Sequence, residues 1–167
     1  MMMQITSWSA AWFLPFVAPL CAWVIWSDLS AMRIPNKTVL LLTGVFVVIG
    51  LIALPLWPDY PIRLLSLVVV LIAGMVLNAI GLMGAGDSKF IAAAAPFIAP
   101  GDAGLLAYIF GINVLACYVT HRVVMRTSLR NMAPDWISWE RTKKFPLGFS
   151  LAPTLVIYLG LGILYGA

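Results

Sequence analysis

Long apolar runs dominate the chain, and short polar segments separate them. The runs cover residues 10–26, 38–57, 64–83, 90–99, 104–120 and 147–165. A hydrocarbon core about 30 Å thick is crossed by a helix of roughly 20 apolar residues, and most of these runs approach that length. The pattern therefore predicts a bundle of membrane-spanning helices.

Composition supports this prediction and limits the number of domains. Of the 167 residues, 63% are hydrophobic and 10% are charged, whereas an average soluble domain carries about 25% charged residues. We therefore expect an all-α integral membrane protein in which residues 1–167 form a single domain. Because the first basic residue is Arg33, the first run lacks the basic flank of a cleavable signal peptide, and we expect it to be retained as an anchor.

The number of spans depends on residues 90–121, which are too long for one span and too short for two full ones. Loops that face the cytoplasm accumulate Lys and Arg. Six spans with the N-terminus outside place every basic residue except Arg63 on the cytoplasmic side. A single helix over residues 90–121 would instead export the basic cluster of residues 122–144. We therefore predict six spans, the fourth short and broken by Pro96 and Pro100, and a large basic cytoplasmic loop between helices 5 and 6.

Two aspartates lie at the predicted cytoplasmic boundary: Asp28 after the first run and Asp87 after the third. Taken singly, each is more often a helix N-cap than a functional group. Together they are more informative, because two neighbouring carboxyl groups cannot both ionise easily and so supply one acid and one base near neutral pH. Such a pair can hydrolyse a peptide bond by activating water and stabilising the oxyanion.

The residues around Asp87 fit the same interpretation. Gly84 and Gly86 are expected to adopt backbone conformations closed to other residues and to let an extended substrate strand approach closely. Lys89 either influences the ionisation of the aspartates or anchors the chain at the inner interface, and the anchor is the favoured interpretation.

The other polar residues have ordinary structural interpretations. We expect Asp59 and Asp102 to lie in turns, and Asp135 and Glu140 to be solvated. Asn78 and Asn113 are expected to form hydrogen bonds to neighbouring helices. His121 is expected to be interfacial, and Cys21 and Cys117 are expected to be packing residues. The basic loop of residues 126–145, with Trp136 and Trp139, is interpreted as resting on anionic lipid. The pattern indicates no metal site, no cofactor and no nucleic-acid partner.

Two motifs together resemble the type IV prepilin peptidases, which are membrane aspartic proteases with a GxGD motif. The first is Asp28 followed by Arg33, Ile34, Pro35 and Asn36, and the second is Gly84, Ala85, Gly86 and Asp87 followed by Lys89. A late match is the segment FPLGFSLAP at residues 145–153, although Leu147 replaces an aromatic residue of the family pattern.

The resemblance implies a function, a location and site residues. It implies cleavage of the short basic leader from prepilins or pseudopilins, at the cytoplasmic face of a bacterial inner membrane that the protein crosses several times. By position, Asp28 and Asp87 inherit the catalytic roles. Gly84, Gly86 and Lys89 form the active-site loop, and Arg33, Pro35 and Asn36 support it.

The resemblance is to the compact form of the family found with tight-adherence (Flp) pilus systems. Larger members carry an additional N-terminal region with a cysteine-bearing loop and also methylate the new pilin N-terminus, which is not expected here. Because the loop of residues 126–145 is basic, we expect a basic leader to be recognised by acids such as Asp28, Asp87, Asp135 or Glu140 and by anionic lipid.

Two rival functions remain open from the sequence. A small proton-coupled carrier could use the same carboxylates as a relay, although carriers commonly show repeated halves and acids near the midplane. A non-enzymatic pilus assembly subunit would use both aspartates only as helix caps.

Overall fold

Six α-helices and four short 3-10 turns make up the computed structural model, which describes residues 3–141 and 144–167. The helices are α1 (Ser7–Ala31), α2 (Asn36–Ala53), α3 (Asp59–Ala79), α4 (Ala85–Ala94), α5 (Ala103–Met125) and α6 (Gly148–Tyr165). The turns lie at Ala95–Phe97, Pro100–Asp102, Ser128–Met132 and Ile137–Trp139. Within the described ranges no β-strand forms, and the prediction of an all-helical protein is confirmed.

Five of the helices are long and apolar enough to cross a membrane: α1, α2, α3, α5 and α6. The predicted fourth span is not among them, because α4 has 10 residues and gives way to a 3-10 turn at Pro96, while a span needs roughly 20. The protein is thus a multi-pass membrane protein, and the count of six crossings stays a prediction.

The segment from Gly84 to Asp102 nevertheless runs from one end of the bundle to the other. At its start, Gly86 packs on Ile34, beyond the end of α1. At its finish, the Asp102 carboxylate accepts hydrogen bonds from the backbone N–H groups of Gln4 and Ile5, before the start of α1. Two prolines shorten the helical part of this passage, since each removes a backbone donor.

The core lies between α1, α2 and α6, with α3 and α5 on the outside. Phe13, Phe46 and Phe97 form an aromatic cluster with ring centroids 4.9 to 5.8 Å apart. Half of the α6 span is buried, against 6% of the α5 span. Helix α6 is therefore held by protein contacts, whereas α5 exposes most of its apolar surface.

Asp102 joins the start of the chain to α6 at the end of the bundle where both termini lie. Besides Gln4 and Ile5 it accepts a hydrogen bond of 2.8 Å from the Tyr158 hydroxyl, and Met3 donates to the Tyr165 carbonyl nearby. The side chain of Asp102 is 5% exposed. It does lie in a turn, as predicted, but it is a buried anchor rather than ordinary turn chemistry.

Most of the loop between α5 and α6 folds over the opposite end of the bundle. Trp136 packs on Trp26 of α1, and Trp139 stacks on His121 of α5. His121 and Trp139 are both buried. The loop covers this histidine, so its ring contacts protein and not lipid, and its position at the level of the membrane interface stays a prediction. Lys143, which was counted in the predicted basic loop, lies outside the described residues.

The two asparagines within the spans behave differently. Asn113 of α5 donates to the Ser150 carbonyl and the Thr154 hydroxyl of α6, which confirms the expected bond to a neighbouring helix. Asn78 instead donates to the carbonyl of Met83. That expectation was wrong for Asn78, because the chain turns back just after α3 and supplies a nearer acceptor.

Candidate active site

A cavity of about 570 Å³ lies at the end of the bundle opposite the two termini. It is lined by Asp28, Met32, Arg33, Ile34, Asn36, Gly84, Ala85, Gly86, Asp87, Lys89, Arg141, Lys144, Phe145, Pro146 and Leu147. Every site residue predicted from the sequence lines it except Pro35. That proline precedes α2 as its N-cap residue, and its carbonyl accepts a hydrogen bond of 2.7 Å from Thr38.

Asp28 lies in the last turn of α1 and faces the start of α6. Its side chain is 5% exposed, and Oδ2 is buried without a hydrogen-bond partner among the described residues. The backbone N–H groups of Gly148 and Phe149 approach the carboxylate. A helix N-terminus carries partial positive charge, so this position suits an anion. Because Asp28 is inside a helix near its C-terminal end, the N-cap interpretation is wrong.

The chain leaves α1 sharply after Asp28. Met32 adopts φ 53°, a left-handed conformation uncommon for residues other than glycine, and its N–H donates to the Asp28 carbonyl. This bend directs Arg33 and Ile34 back over the end of the helix, where both line the cavity. The tight ending of α1 thus brings the second half of the first motif beside Asp28.

Asp87 is the third residue of α4 and lies on the opposite wall of the cavity. Gly84 is the N-cap residue, and no side-chain hydrogen bond caps the helix, so the capping interpretation of Asp87 is also wrong. Burial, and then the charge of Asp28, raises the pKa of the Asp87 carboxyl group to about 6. The two aspartates are therefore within electrostatic reach of each other.

Neither glycine of the second motif has unusual backbone angles, and only Gly84 is needed for space. Gly84 has φ −67° and Gly86 is helical, which corrects the expectation of conformations closed to other residues. A Cβ on Gly84 would lie 2.7 Å from Asp87 Oδ2, while one on Gly86 would meet Ile34 at an ordinary 3.5 Å. Gly84 thus makes room for the carboxylate that follows it.

A third glycine, Gly148, does the same for Asp28. A Cβ at Gly148 would lie 2.8 Å from Asp28 Oδ2, so only glycine lets the first turn of α6 approach the carboxylate this closely. The residue belongs to the late FPLGFSLAP match but was not among the predicted site residues. The sequence signal was the glycine itself, at the start of an apolar run.

Four basic residues line the cavity with the two acids: Arg33, Lys89, Arg141 and Lys144. Lys89 donates a hydrogen bond of 3.2 Å to Asn36 Oδ1, which joins α4 to the first turn of α2. Arg141 and Lys144 were not predicted here. They reach the cavity because the end of the basic loop forms one of its walls, and no local sequence pattern marks that return.

Neither the other described acids nor the apolar cavity between α3, α4, α5 and α6 offers comparable chemistry. Asp59, Asp102, Asp135 and Glu140 do not line the cavity of about 570 Å³. A separate cavity of about 380 Å³ between α3, α4, α5 and α6 is apolar and has no carboxylate in its walls. The described residues also contain no group of three or more His, Cys, Asp or Glu that could hold a metal ion.

The arrangement can carry out acid–base chemistry on a bound water molecule. At a pH near 6 the Asp87 carboxyl group is partly protonated, and a second carboxyl group lines the same cavity, which is an arrangement that can supply an acid and a base together. Because the charge of Asp28 acts on Asp87, neither aspartate is assigned a fixed role.

Comparison with known proteins gives an independent result. Neither the curated proteins nor the solved structures contain a significant match. The family model of the type IV leader peptidases matches residues 15–121, which include both aspartates and more than half of the chain. The chain therefore belongs to the type IV leader peptidase family.

Proposed function

We propose that this protein is a membrane aspartic endopeptidase that cleaves the short basic leader from type IV prepilins or pseudopilins. Membership of the leader peptidase family supports the hydrolase activity and the substrate class. Asp28 and Asp87 are the proposed catalytic groups. The observation that carries the proposal is their common cavity, in which burial and the Asp28 charge raise the pKa of Asp87 to about 6.

The proposed reaction is direct attack of water on the scissile peptide bond. The ionised carboxylate takes a proton from the water while the water oxygen bonds to the carbonyl carbon. The neutral carboxyl group donates a hydrogen bond to the developing oxyanion. The C–N bond then breaks, and the leaving amine takes the proton that the base had received from the water. The leader departs with a new carboxyl terminus, and the pair again holds one proton.

The charges of the cavity favour a leader whose basic part contacts lipid and whose cleavage site contacts the protein. A basic leader is repelled by Arg33, Lys89, Arg141 and Lys144, so its lysines and arginines are proposed to rest on anionic lipid while only the cleavage site enters the cavity. Asp135 and Glu140 are exposed and outside the cavity walls. Of the acids considered for recognition, we retain only Asp28 and Asp87.

Location and substrate subtype are further parts of the proposal. The basic residues of the cavity gather at one end of the bundle, while Arg63 lies toward the other and donates to the Phe97 carbonyl. Such asymmetry supports a bacterial inner membrane protein with this end in the cytoplasm. We propose Flp-type prepilins as the substrate subtype.

Co-expression with a prepilin that carries a basic leader tests the proposed function. We expect the pilin to be shortened, and the mass of the product to place the cut between the basic leader and the apolar helix. A pilin whose residues around the junction are deleted serves as the control and should stay uncut. If several prepilins, Flp-type and others, all keep their leaders while the enzyme accumulates in the membrane, the proposed function is wrong.

A further inference from the structure

The first turn of α6, which faces Asp28, has an incomplete set of backbone hydrogen bonds. Pro153 lies inside α6 and has no N–H group, so the Phe149 carbonyl lacks its usual helical donor. An unpaired carbonyl is costly where no water is present to replace the missing bond. A donor from outside α6 that reaches the Phe149 carbonyl therefore stabilises this turn.

Two side chains of α5 supply donors at this point. Cys117 Sγ lies 3.4 Å from the Phe149 carbonyl oxygen. Asn113 Nδ2 donates to the Ser150 carbonyl at 2.8 Å and reaches the Thr154 hydroxyl at 2.9 Å. Asn113 and Cys117 are four residues apart and so lie on one face of α5. Cys117 was expected to be a packing residue only, so this contact was missed.

These contacts connect two helices that are held very differently. Helix α5 is the most exposed of the spans, with 6% of its span buried, while half of the α6 span is buried. Asn113 also lies within 3.5 Å of Cys117 Sγ through its amide oxygen. The two side chains thus form one small polar network between otherwise apolar surfaces.

The same turn carries the closest approach of α6 to Asp28. A Cβ at Gly148 would lie 2.8 Å from Asp28 Oδ2, and the backbone N–H groups of Gly148 and Phe149 approach that carboxylate. A shift of this turn would change the distance between these N–H groups and Asp28. The contacts from α5 and the contact with Asp28 thus act on one short stretch of backbone.

We propose that Asn113 and Cys117 are positioning residues, which hold the first turn of α6 in the geometry where it meets Asp28. The inference rests on the proposed function, because it assigns Asp28 to the reacting pair. Neither residue lines the cavity that contains the aspartates, so both act through α6 and not on substrate.

Asn113→Leu and Cys117→Ala remove the two donors and test the inference. Ser9→Ala is the matched control, because Ser9 Oγ donates to the Ala53 carbonyl at 2.7 Å and so also joins two helices, at the end of the bundle away from the aspartates. Hydrogen exchange of the peptide covering residues 145–152 is measured in reconstituted protein. We expect faster exchange there in Asn113→Leu and Cys117→Ala and no change in Ser9→Ala.

Prepilin cleavage by the same samples is the second readout. We expect kcat per folded molecule to fall about tenfold or more in Asn113→Leu, with KM within about twofold of wild type, because misplaced catalytic groups slow the chemical step without weakening substrate binding. Cys117→Ser keeps a donor and should restore the kcat lost in Cys117→Ala.

The possible outcomes separate this inference from the proposed function. Unchanged exchange at residues 145–152 overturns the inference, and so does faster exchange with normal kcat, which would indicate a merely structural contact. If wild type cleaves no prepilin, the proposed function fails and the catalytic part of this inference fails with it, and the exchange measurement then decides only whether Asn113 and Cys117 hold the first turn of α6. If Asn113→Leu does not accumulate, the comparison of Cys117→Ala with Cys117→Ser decides it in the same way.

Discussion

Asp87 lies in the first turn of α4, partly buried and within reach of the charge of Asp28. Both influences oppose its ionisation, and burial is the larger of the two. The folded protein therefore holds an unfavourable charge at neutral pH in a place where an uncharged side chain would be more stable. Such a cost is common where a group is needed for chemistry rather than for folding.

This cost predicts a pH-dependent gain of stability in Asp87→Asn. The pKa of Asp87 is about 6 in the folded state against 3.8 unfolded, so wild type loses stability as pH rises between these values and the asparagine variant does not. At pH 7 the variant should be more stable by about 3 kcal/mol at most, and near pH 4 the two should be equal. Thermal unfolding at both pH values checks this, and a variant less stable than wild type at pH 7 would contradict it.

At the scale of elements, the first turn of α6 matters most to the site. Helix α1 contributes Asp28 near its C-terminal end, and α6 begins beside that carboxylate with Gly148. A helix C-terminus is an unfavourable place for an anion, while a helix N-terminus is a favourable one. The start of α6 therefore compensates for the position of Asp28 at the end of its own helix.

Gly148→Ala should separate these two elements and slow cleavage. The added Cβ would lie 2.8 Å from Asp28 Oδ2 and 3.1 Å from Ile34 Cδ1, so the turn or the carboxylate must move. We expect the cleavage rate per folded enzyme to fall about tenfold to a hundredfold. Gly160→Ala, in the same helix with nothing within 4 Å of its Cβ, is the control and should cleave normally. Equal rates in the two variants would show that the close approach does not matter.

At the scale of the whole molecule, the bundle has two chemically different ends. One holds the acidic pair and the basic cavity wall. The other holds both termini, joined through Met3, Tyr165 and the Asp102 anchor. Both termini therefore lie at the same end of the bundle, which agrees with an even number of crossings although α4 is short.

Reporter fusions test the six-span prediction. A reporter enzyme that is active only outside the cytoplasm should be active when fused after Ala167 and inactive when inserted at Asn131 in the basic loop. The reason is that loops rich in Lys and Arg stay on the cytoplasmic side of the membrane. Tags at the two termini should both be accessible from outside. Termini on opposite sides of the membrane would contradict six spans and favour five.

The sequence predicted the site well where charge and spacing carry information. The count of basic residues placed Asp28 and Asp87 on one side, and both line one cavity in the structure. Prediction from the sequence failed where contacts join distant parts of the chain. Asp102 looked like a turn residue because its partners Gln4 and Tyr158 are far away in sequence. For the same reason no local pattern marked Arg141 or Lys144 as neighbours of the aspartates.

The central claim is that Asp28 and Asp87 together hydrolyse the leader bond, and single-turnover cleavage by purified, reconstituted enzyme tests it most directly. Wild type, Asp28→Asn and Asp87→Asn are compared with Asp135→Asn, which changes an exposed acid outside the cavity. We predict that Asp28→Asn and Asp87→Asn accumulate as folded protein. The cleavage rate of each should fall at least about a thousandfold, because half of an acid–base pair is removed. Asp135→Asn should cleave like wild type. Near-normal cleavage by either Asp28→Asn or Asp87→Asn would contradict the account.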